Sequence, residues 1–453
     1  MSTTFTDRWD VAVQGTDGAA VVLLDSAIED LVALAGDPVG GADRALDADS
    51  SLALARVYRA YLALYATTAD GAVEATRLLE PLEAAALGLR EALHLAAARA
   101  WAGGDWHGAT RHLERALLLN PRDLLALKVA QDLYFFLGNR AELRDVAARV
   151  LPAWPQDDPA WGYVQAIHAF GLEENGDYRG AEAAARAALE RNPKDVWGVH
   201  ALAHVFEMEG SHEEGVAFLS QSSPDWEDSY FAVHNWWHLG LCLLELERPK
   251  DAVALYDERI RPARHDQPEQ WLDIVDAASL LWRLSLYGHD VTTRAKALAA
   301  AISGLVGTPT YLFNDWHAVM AFALAGDHAR VATIIEANRQ LLASGGGGRV
   351  TNRRAAERAG LRLLEAFAAL AAGAPELAVD LLGDIRPEAT VVGGSHAQRD
   401  VIDLTLIAAA GRSGNVPLAR ALVTERARRK PAAEPSARAL VIANGGDDTW
   451  LAW

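Results

Sequence analysis

The chain has 453 residues, of which 51% are hydrophobic and 23% charged, and a formal charge of −19. That composition excludes a disordered chain, and so acidic a surface repels polyanions, so neither nucleic acid nor an anionic membrane is an expected partner. A single cysteine, Cys242, excludes an internal disulfide and a cysteine zinc cluster and fits a reducing compartment. No apolar run approaches the roughly 18 residues of a membrane span, and Met1 to Asp10 has no basic-then-apolar leader. The expected location is the cytoplasm.

In chain order, Val11 to Asp25 is apolar with Gly15 and Gly18 inside it, and Ser26 to Ala35 and Ser51 to Ala66 carry the i, i+3, i+4 apolar spacing of helices. Residues 1–68 are expected to form an atypical helical cap. A turn signal then recurs, at Gly104-Asp105, Gly138-Asn139, Gly176-Asp177, Gly210-Ser211, Arg248-Pro249, Gly288-His289, Gly326-Asp327, Gly373-Ala374 and Gly414-Asn415. The intervals are 34, 38, 34, 38, 40, 38, 47 and 41 residues, and each turn is flanked by Ala- and Leu-rich segments. Such a period marks stacked helical hairpins, because one hairpin cannot bury its apolar face without a neighbour.

The unit fits the tetratricopeptide pattern in three places. Val233 onward supplies Trp236, Leu239, Gly240, Ala252 and Tyr256, with Pro262 two residues early. A second unit supplies Ala109, Leu113, Ala116 and Pro121, and a third Ala181, Ala188 and Pro193. Small residues sit where paired helices cross closely, and Pro stops the second helix. The expected fold is all-α, a right-handed superhelix of about nine such hairpins over residues 69–440. Ser344 to Gly348 and Ala389 to Ala397 read as irregular connections, and the basic run Arg426 to Lys430 as a complement to a helix dipole. A tail over residues 441–453 is acidic, then aromatic. It folds back onto the last repeat or, through Trp450 and Trp453, anchors a partner or a second copy as a homo-oligomer.

Four strings are more specific than the repeat pattern. They are His200 to Gly210 (HALAHVFEMEG), His234 to His238 (HNWWH), Phe313 to His317 (FNDWH) and Gly393 to Asp400 (GGSHAQRD). Together they resemble the tetratricopeptide repeat protein 38 family, over most of the chain. The resemblance implies an all-α repeat fold and brings no catalytic residue set with it. His396 is a departure from the family pattern and is given less weight.

Chemistry-bearing residues concentrate on the first helices of the hairpins. His200 and His204 are four apart, as are His234 and His238, so each pair shares a helix face. Asp273, Asp276, Asn314, Asp315, His317, Arg399 and Asp400 fall on first helices further along. In repeat register these residues form a band across a concave groove. The bland alternative is a set of core residues that satisfy helix ends and inter-repeat contacts.

Three chemistries suit the band. The pairs His200, His204 and His234, His238 have the spacing to bind one divalent ion such as zinc, with Asp276 or Asp315 as a carboxylate ligand. His238 or His317 beside Asp276 or Asp315 suits metal-free acid–base catalysis, as a hydrolase or lyase. Trp236, Trp237, Trp271, Trp282 and Trp316 accompany the histidines, as in a groove that holds a small molecule or peptide without turnover. Recognition is the favoured reading and either form of enzyme the alternative. The sequence leaves open whether a metal is bound at all. A specific pairing is expected between His238 and Asp276, on neighbouring hairpins.

Overall fold

The structure is a computed structural model that describes residues 3–83, 85–261, 270–344 and 350–446. The chain divides into two compact units. The first is Met1–Ala201 with Asp225–Phe231 and Gly346–Asn352; the second is Leu202–Pro224, Ala232–Gly345 and Arg353–Trp453.

The N-terminal region, expected from sequence to be a helical cap, is not helical throughout. It opens on an antiparallel hairpin, β1 (Thr3–Thr6) and β2 (Ala12–Gly15), with Thr3 opposite Gly15 and Thr6 opposite Ala12. Val11 and Val13 are buried while Ala12 between them is exposed, the two-residue period of a strand, which an apolar count over Val11 to Asp25 obscures. Asp7 closes the hairpin by accepting from the backbone N–H groups of Trp9 and Val11, each at 2.9 Å. The helices α1 (Gly18–Ala33), α2 (Pro38–Ala48), α3 (Ala53–Leu64) and α4 (Ala69–Leu79) follow.

From there the chain is a series of helical hairpins. They are α5 (Leu89–Ala102) with α6 (Trp106–Leu119), α7 (Leu124–Phe136) with α8 (Arg140–Val150), and α9 (Trp161–Glu174) with α10 (Tyr178–Arg191). Next come α11 (Val196–Glu209) with α12 (His212–Trp226), α13 (Ala232–Glu245) with α14 (Pro249–Leu255), and α15 (Trp271–Leu286) with α16 (Thr292–Ile302). The series ends with α17 (Leu312–Ala325) and α18 (His328–Ala343), α19 (Val350–Ala355) running through a π-helical turn into α20 (Leu361–Ala371) and paired with α21 (Pro375–Ile385), then α22 (His396–Arg412) with α23 (Val416–Arg429), and a last helix, α24 (Glu434–Ala443).

Each expected turn has the same physical basis. The turn glycines Gly104, Gly138, Gly176, Gly210, Gly288, Gly326, Gly373 and Gly414 all take positive φ, and at the turn that lacks a glycine Glu247 does so at 55°. A left-handed residue ends the first helix cheaply only when it has no Cβ. The next residue caps the second helix where it is Asp or Asn. Asp105, Asp177 and Asp327 accept from the N–H of Gly108, Gly180 and Arg330 at 2.8, 2.9 and 3.1 Å. The small consensus positions Ala109, Ala116, Ala181, Ala188 and Ala252 are all fully buried. Pro262 lies outside the described residues, as does most of the Ser344 to Gly348 loop.

Gly171 shows how tight the helix crossings are. A Cβ there would stand 2.5 Å from Arg144 Cα and 2.7 Å from Leu143 O, backbone atoms of α8 that cannot swing aside. Gly171→Ala should therefore destabilise the first unit by about 1–3 kcal/mol through overpacking, although alanine is the better helix former. A denaturant midpoint equal to or above that of the unmodified protein would contradict this.

Asp195 caps the start of α11 by accepting from Trp197 N at 3.1 Å and Gly198 N at 3.3 Å. Burial raises its pKa to about 7, against the pull of those two N–H groups. A carboxyl raised on folding holds its proton more tightly in the native state, so its ionisation penalises the fold increasingly from pH 4 to pH 7, and fully above that. Asp195→Asn keeps the accepting oxygen and removes the charge. Its melting temperature should exceed that of the parent at pH 8 and match it near pH 4; equal melts at pH 8 would refute the assignment.

In the second unit the first helices stack in order, α13 on α15, α15 on α17 and α17 on α20. The unit then closes on itself, because α22 packs on α15 and α24 on α13. The inner face within this unit is thus filled rather than an open groove.

Candidate functional site

The inner face of the second unit collects most of the residues singled out from sequence. His204, His234, His238, Asp276 and His317 are all at most 3% exposed. Their rings interlock: His204 and His238 have centroids 4.3 Å apart, and His234 and His238 4.8 Å. His200 belongs to the first unit, where it packs against Phe170, Trp197 and Phe231 with centroids at 4.8, 5.6 and 5.0 Å.

The expected pairing of His238 with Asp276 is displaced by one helical turn. Asp276 on α15 takes His234, whose Nδ1 lies 3.0 and 2.9 Å from its two carboxylate oxygens. His238 Nδ1 faces Glu207 Oε2 at 3.3 Å. Both histidines share one face of α13, and register alone does not say which of the two a residue on α15 will meet. Glu207 was not foreseen, although it lies one turn after His204 on the same face of α11. Its other oxygen accepts from Lys430 Nζ at 2.7 Å.

Burial disfavours charge on both members of the His238–Glu207 pair, and neighbours decide the outcome. Glu207 is held well below the ordinary carboxylate range, because Lys430, His238 and His204 together outweigh its burial. His238 is pushed well below the usual imidazole value by burial and by His204, so its ring is neutral. Burial raises the Asp276 carboxyl, with His234 opposing. His317 falls to about 3, through burial and then Arg283, against its bond from Nδ1 to Phe313 O at 2.7 Å.

The basic run from Arg426 to Lys430 does more than complement a dipole. Arg426 is 1% exposed and donates to Asp400 at 2.8 and 2.7 Å and to Glu245 at 2.6 Å. Lys430, one turn on, reaches Glu207 and, at 3.5 Å, Glu245. These partners lie up to 223 residues away in sequence, so no local pattern announces them. Asp400 is thus part of an ion network, and Arg399 secures the turn before α22 by donating to the carbonyls of Gly393 and Gly394. Asp315 accepts from Asn338 at 2.9 Å and ties α17 to α18, and Asn314 is buried beside it. The tryptophans are largely core. Trp237 donates to Ser279 at 3.1 Å and Trp282 to Thr405 at 3.0 Å.

His396 proves closer to the cluster than its low weighting implied. Its ring is stacked on that of His204, with planes 5° apart, and its Nε2 lies 3.3 Å from His204 Nδ1. Beside the histidines, Glu207, Glu245, Arg283, Tyr287, Asp400 and Lys430 line a small cavity with Leu241, Leu244 and Leu404. It has room for about one water molecule.

No family model matches the chain. Among solved structures, the chain is similar to a crystal structure of yeast Tom70, at 13% identity and a TM-score of 0.33, with 94% of this chain and 95% of that chain covered. Among the described residues, no helix is long and apolar enough to cross a membrane.

Proposed function

We propose that the chain is a helical-repeat binding protein whose second unit encloses a small oxyanion, of the carboxylate, carbonate or phosphate class. The observation that carries this is Arg283. It is 2% exposed, and its described hydrogen bonds go to the Ser279 hydroxyl at 2.5 Å and to carbonyls, among them that of Ala397 at 2.8 Å, with no carboxylate among them. A buried guanidinium is costly without an anionic partner in contact, while the nearby carboxylates of Asp400, Glu245 and Glu207 are bound to Arg426 and Lys430. Arg283 lines the small cavity with Tyr287, and its fork matches a planar oxyanion. The space as it stands holds about one water molecule, so a small oxyanion would enter it only as the lining side chains move apart, and a peptide has no room.

Kinship with the tetratricopeptide repeat protein 38 family, a cytoplasmic setting, and a division into cap, repeats over residues 69–440 and tail all belong to the same proposal. They rest on the quoted strings and on the turn series. The acidic and aromatic tail residues from Asp447 to Trp453 lie outside the described residues.

Thermal melts of chelator-treated protein with formate, bicarbonate, sulfate or inorganic phosphate test the reading. A ligand at a hundred times its dissociation constant stabilises by about 2.7 kcal/mol. At least one of these anions should give a saturable rise, weakened tenfold or more in Arg283→Lys. If all four leave the melting temperature unchanged, the reading is wrong.

A further inference from the structure

We infer that His204, His234 and His238 form a binding site for one divalent transition-metal ion, of the zinc, cobalt or nickel class. One ring nitrogen from each of the three lies within 4.8 Å of the other two. The nitrogens of a tetrahedral site with bonds of 2.0–2.1 Å stand about 3.4 Å apart. Each pair would therefore close by at most about 1.4 Å, a movement within the reach of side-chain rotation on fixed helices.

The orientation of the rings is the stronger observation. Each Nδ1 meets a partner from a different helix. Asp276 of α15 takes His234, Glu207 of α11 takes His238, and His396 of α22 takes His204. An ionised carboxylate only accepts, so the Nδ1 atoms of His234 and His238 donate, and both of these rings carry the ligand lone pair on Nε2. Metal-bound histidines are held in this way, with a carboxylate behind the ring that fixes its tautomer and raises its basicity, as Asp276 stands behind His234 and Glu207 behind His238. Lys430 holds Glu207 in place for that task by donating to its other oxygen at 2.7 Å.

A purely structural cluster has no need of this order. Three buried imidazoles alone would be served as well by mixed tautomers bonded to one another. Neutral nitrogen donors select a borderline cation over magnesium or calcium, which prefer oxygen. The three histidines supply three of the four ligands that a tetrahedral site takes. The site does not depend on the oxyanion reading, because Arg283 and Tyr287 take no part in it.

The test is titration of the chelator-stripped full chain with Co²⁺, followed by visible absorption and calorimetry, with Zn²⁺ as competitor. The expected result is one equivalent bound, with the intense d–d bands of a low-coordinate site, displaced by zinc. His234→Ala and His238→Ala should each lose at least a hundredfold in affinity. Asp276→Asn and Glu207→Gln, which keep all three ligands, should lose about 10–100-fold. Failure of the folded wild-type protein to bind one equivalent overturns the inference even if every variant misfolds. So does affinity unchanged in any folded histidine variant, which would place the cobalt on surface histidines.

Discussion

Arg426→Ala should cost the second unit about 3–5 kcal/mol, the expected loss when one partner is removed from a buried ion pair and the others stay. The side chain is 1% exposed and bridges Asp400 on α22, Glu245 on α13 and the carbonyl of Ala433 just before α24, the last at 3.3 Å. Alanine leaves two buried carboxylates facing each other with only Lys430 between them. Arg426→Lys keeps the charge but loses the fork, and should cost less. Arg426→Met combined with Glu245→Gln and Asp400→Asn should recover much of the loss, because no uncompensated charge remains.

Acid provides a second readout of the same network. The Glu245 and Asp400 carboxyls both lie below their ordinary values, because Arg426 and Lys430, with the hydrogen bonds each carboxylate accepts, together outweigh their burial. Groups depressed on folding add stability above their unfolded pKa, and that stability is lost as pH falls through the folded value. The parent should therefore weaken progressively below about pH 4.5, and the triple variant much less. Denaturant midpoints across that range check both points. A cost under about 1 kcal/mol for Arg426→Ala at pH 7 would show that the network does not hold α22 and α24 in place.

The repeat architecture was legible because its signals are local. A glycine free to take positive φ followed by Asp or Asn, as at Gly104-Asp105 and Gly326-Asp327, specifies both the end of one helix and the cap of the next within two residues. The β-hairpin was missed because its alternation spans only a few residues, Val11 to Val13, inside a longer apolar stretch that reads equally well as helix.

The site was legible in composition and not in pairing. Helix periodicity placed His204, His234, His238 and Asp276 on inward faces, since i and i+4 share a face whatever the tertiary fold. It could not supply the axial offset between neighbouring helices, and that offset gave Asp276 to His234 instead of His238. Nor could it show that α22 and α24 close the inner face. That closure is long-range, carried by contacts such as Lys430 with Glu207, and it turns an expected groove into a filled interior.

In the first unit the largest effect should come from Asp123→Asn, at about 3–5 kcal/mol. Asp123 is fully buried and accepts from Arg90 at 2.7 and 3.0 Å and from Ala126 N at 3.1 Å, while His94 Nε2 lies 3.1 Å away. Arg90 in turn donates to Asp7 at 2.7 Å, so one carboxylate joins α5, the start of α7 and the β-hairpin. Asparagine keeps the size but turns an amide N–H₂ toward donors, and leaves Arg90 short of one counter-charge. Asp7→Asn is the matched control. Its remaining oxygen can still accept from Trp9 and Val11, and burial already raises the Asp7 carboxyl despite Arg90, whereas Arg90 and His94 together hold Asp123 far below its ordinary value despite burial. Neutralising Asp7 should therefore cost only about 1 kcal/mol, in the range of an ordinary hydrogen bond. The depressed Asp123 contributes stability above pH 4 that is lost as acid protonates it. Asp123→Asn should accordingly be far less stable than the parent at pH 7, with the gap narrowing in strong acid. Equal costs for the two substitutions at pH 7 would mean that Arg90 is balanced by either carboxylate alone, and that the hairpin is not held through Asp123.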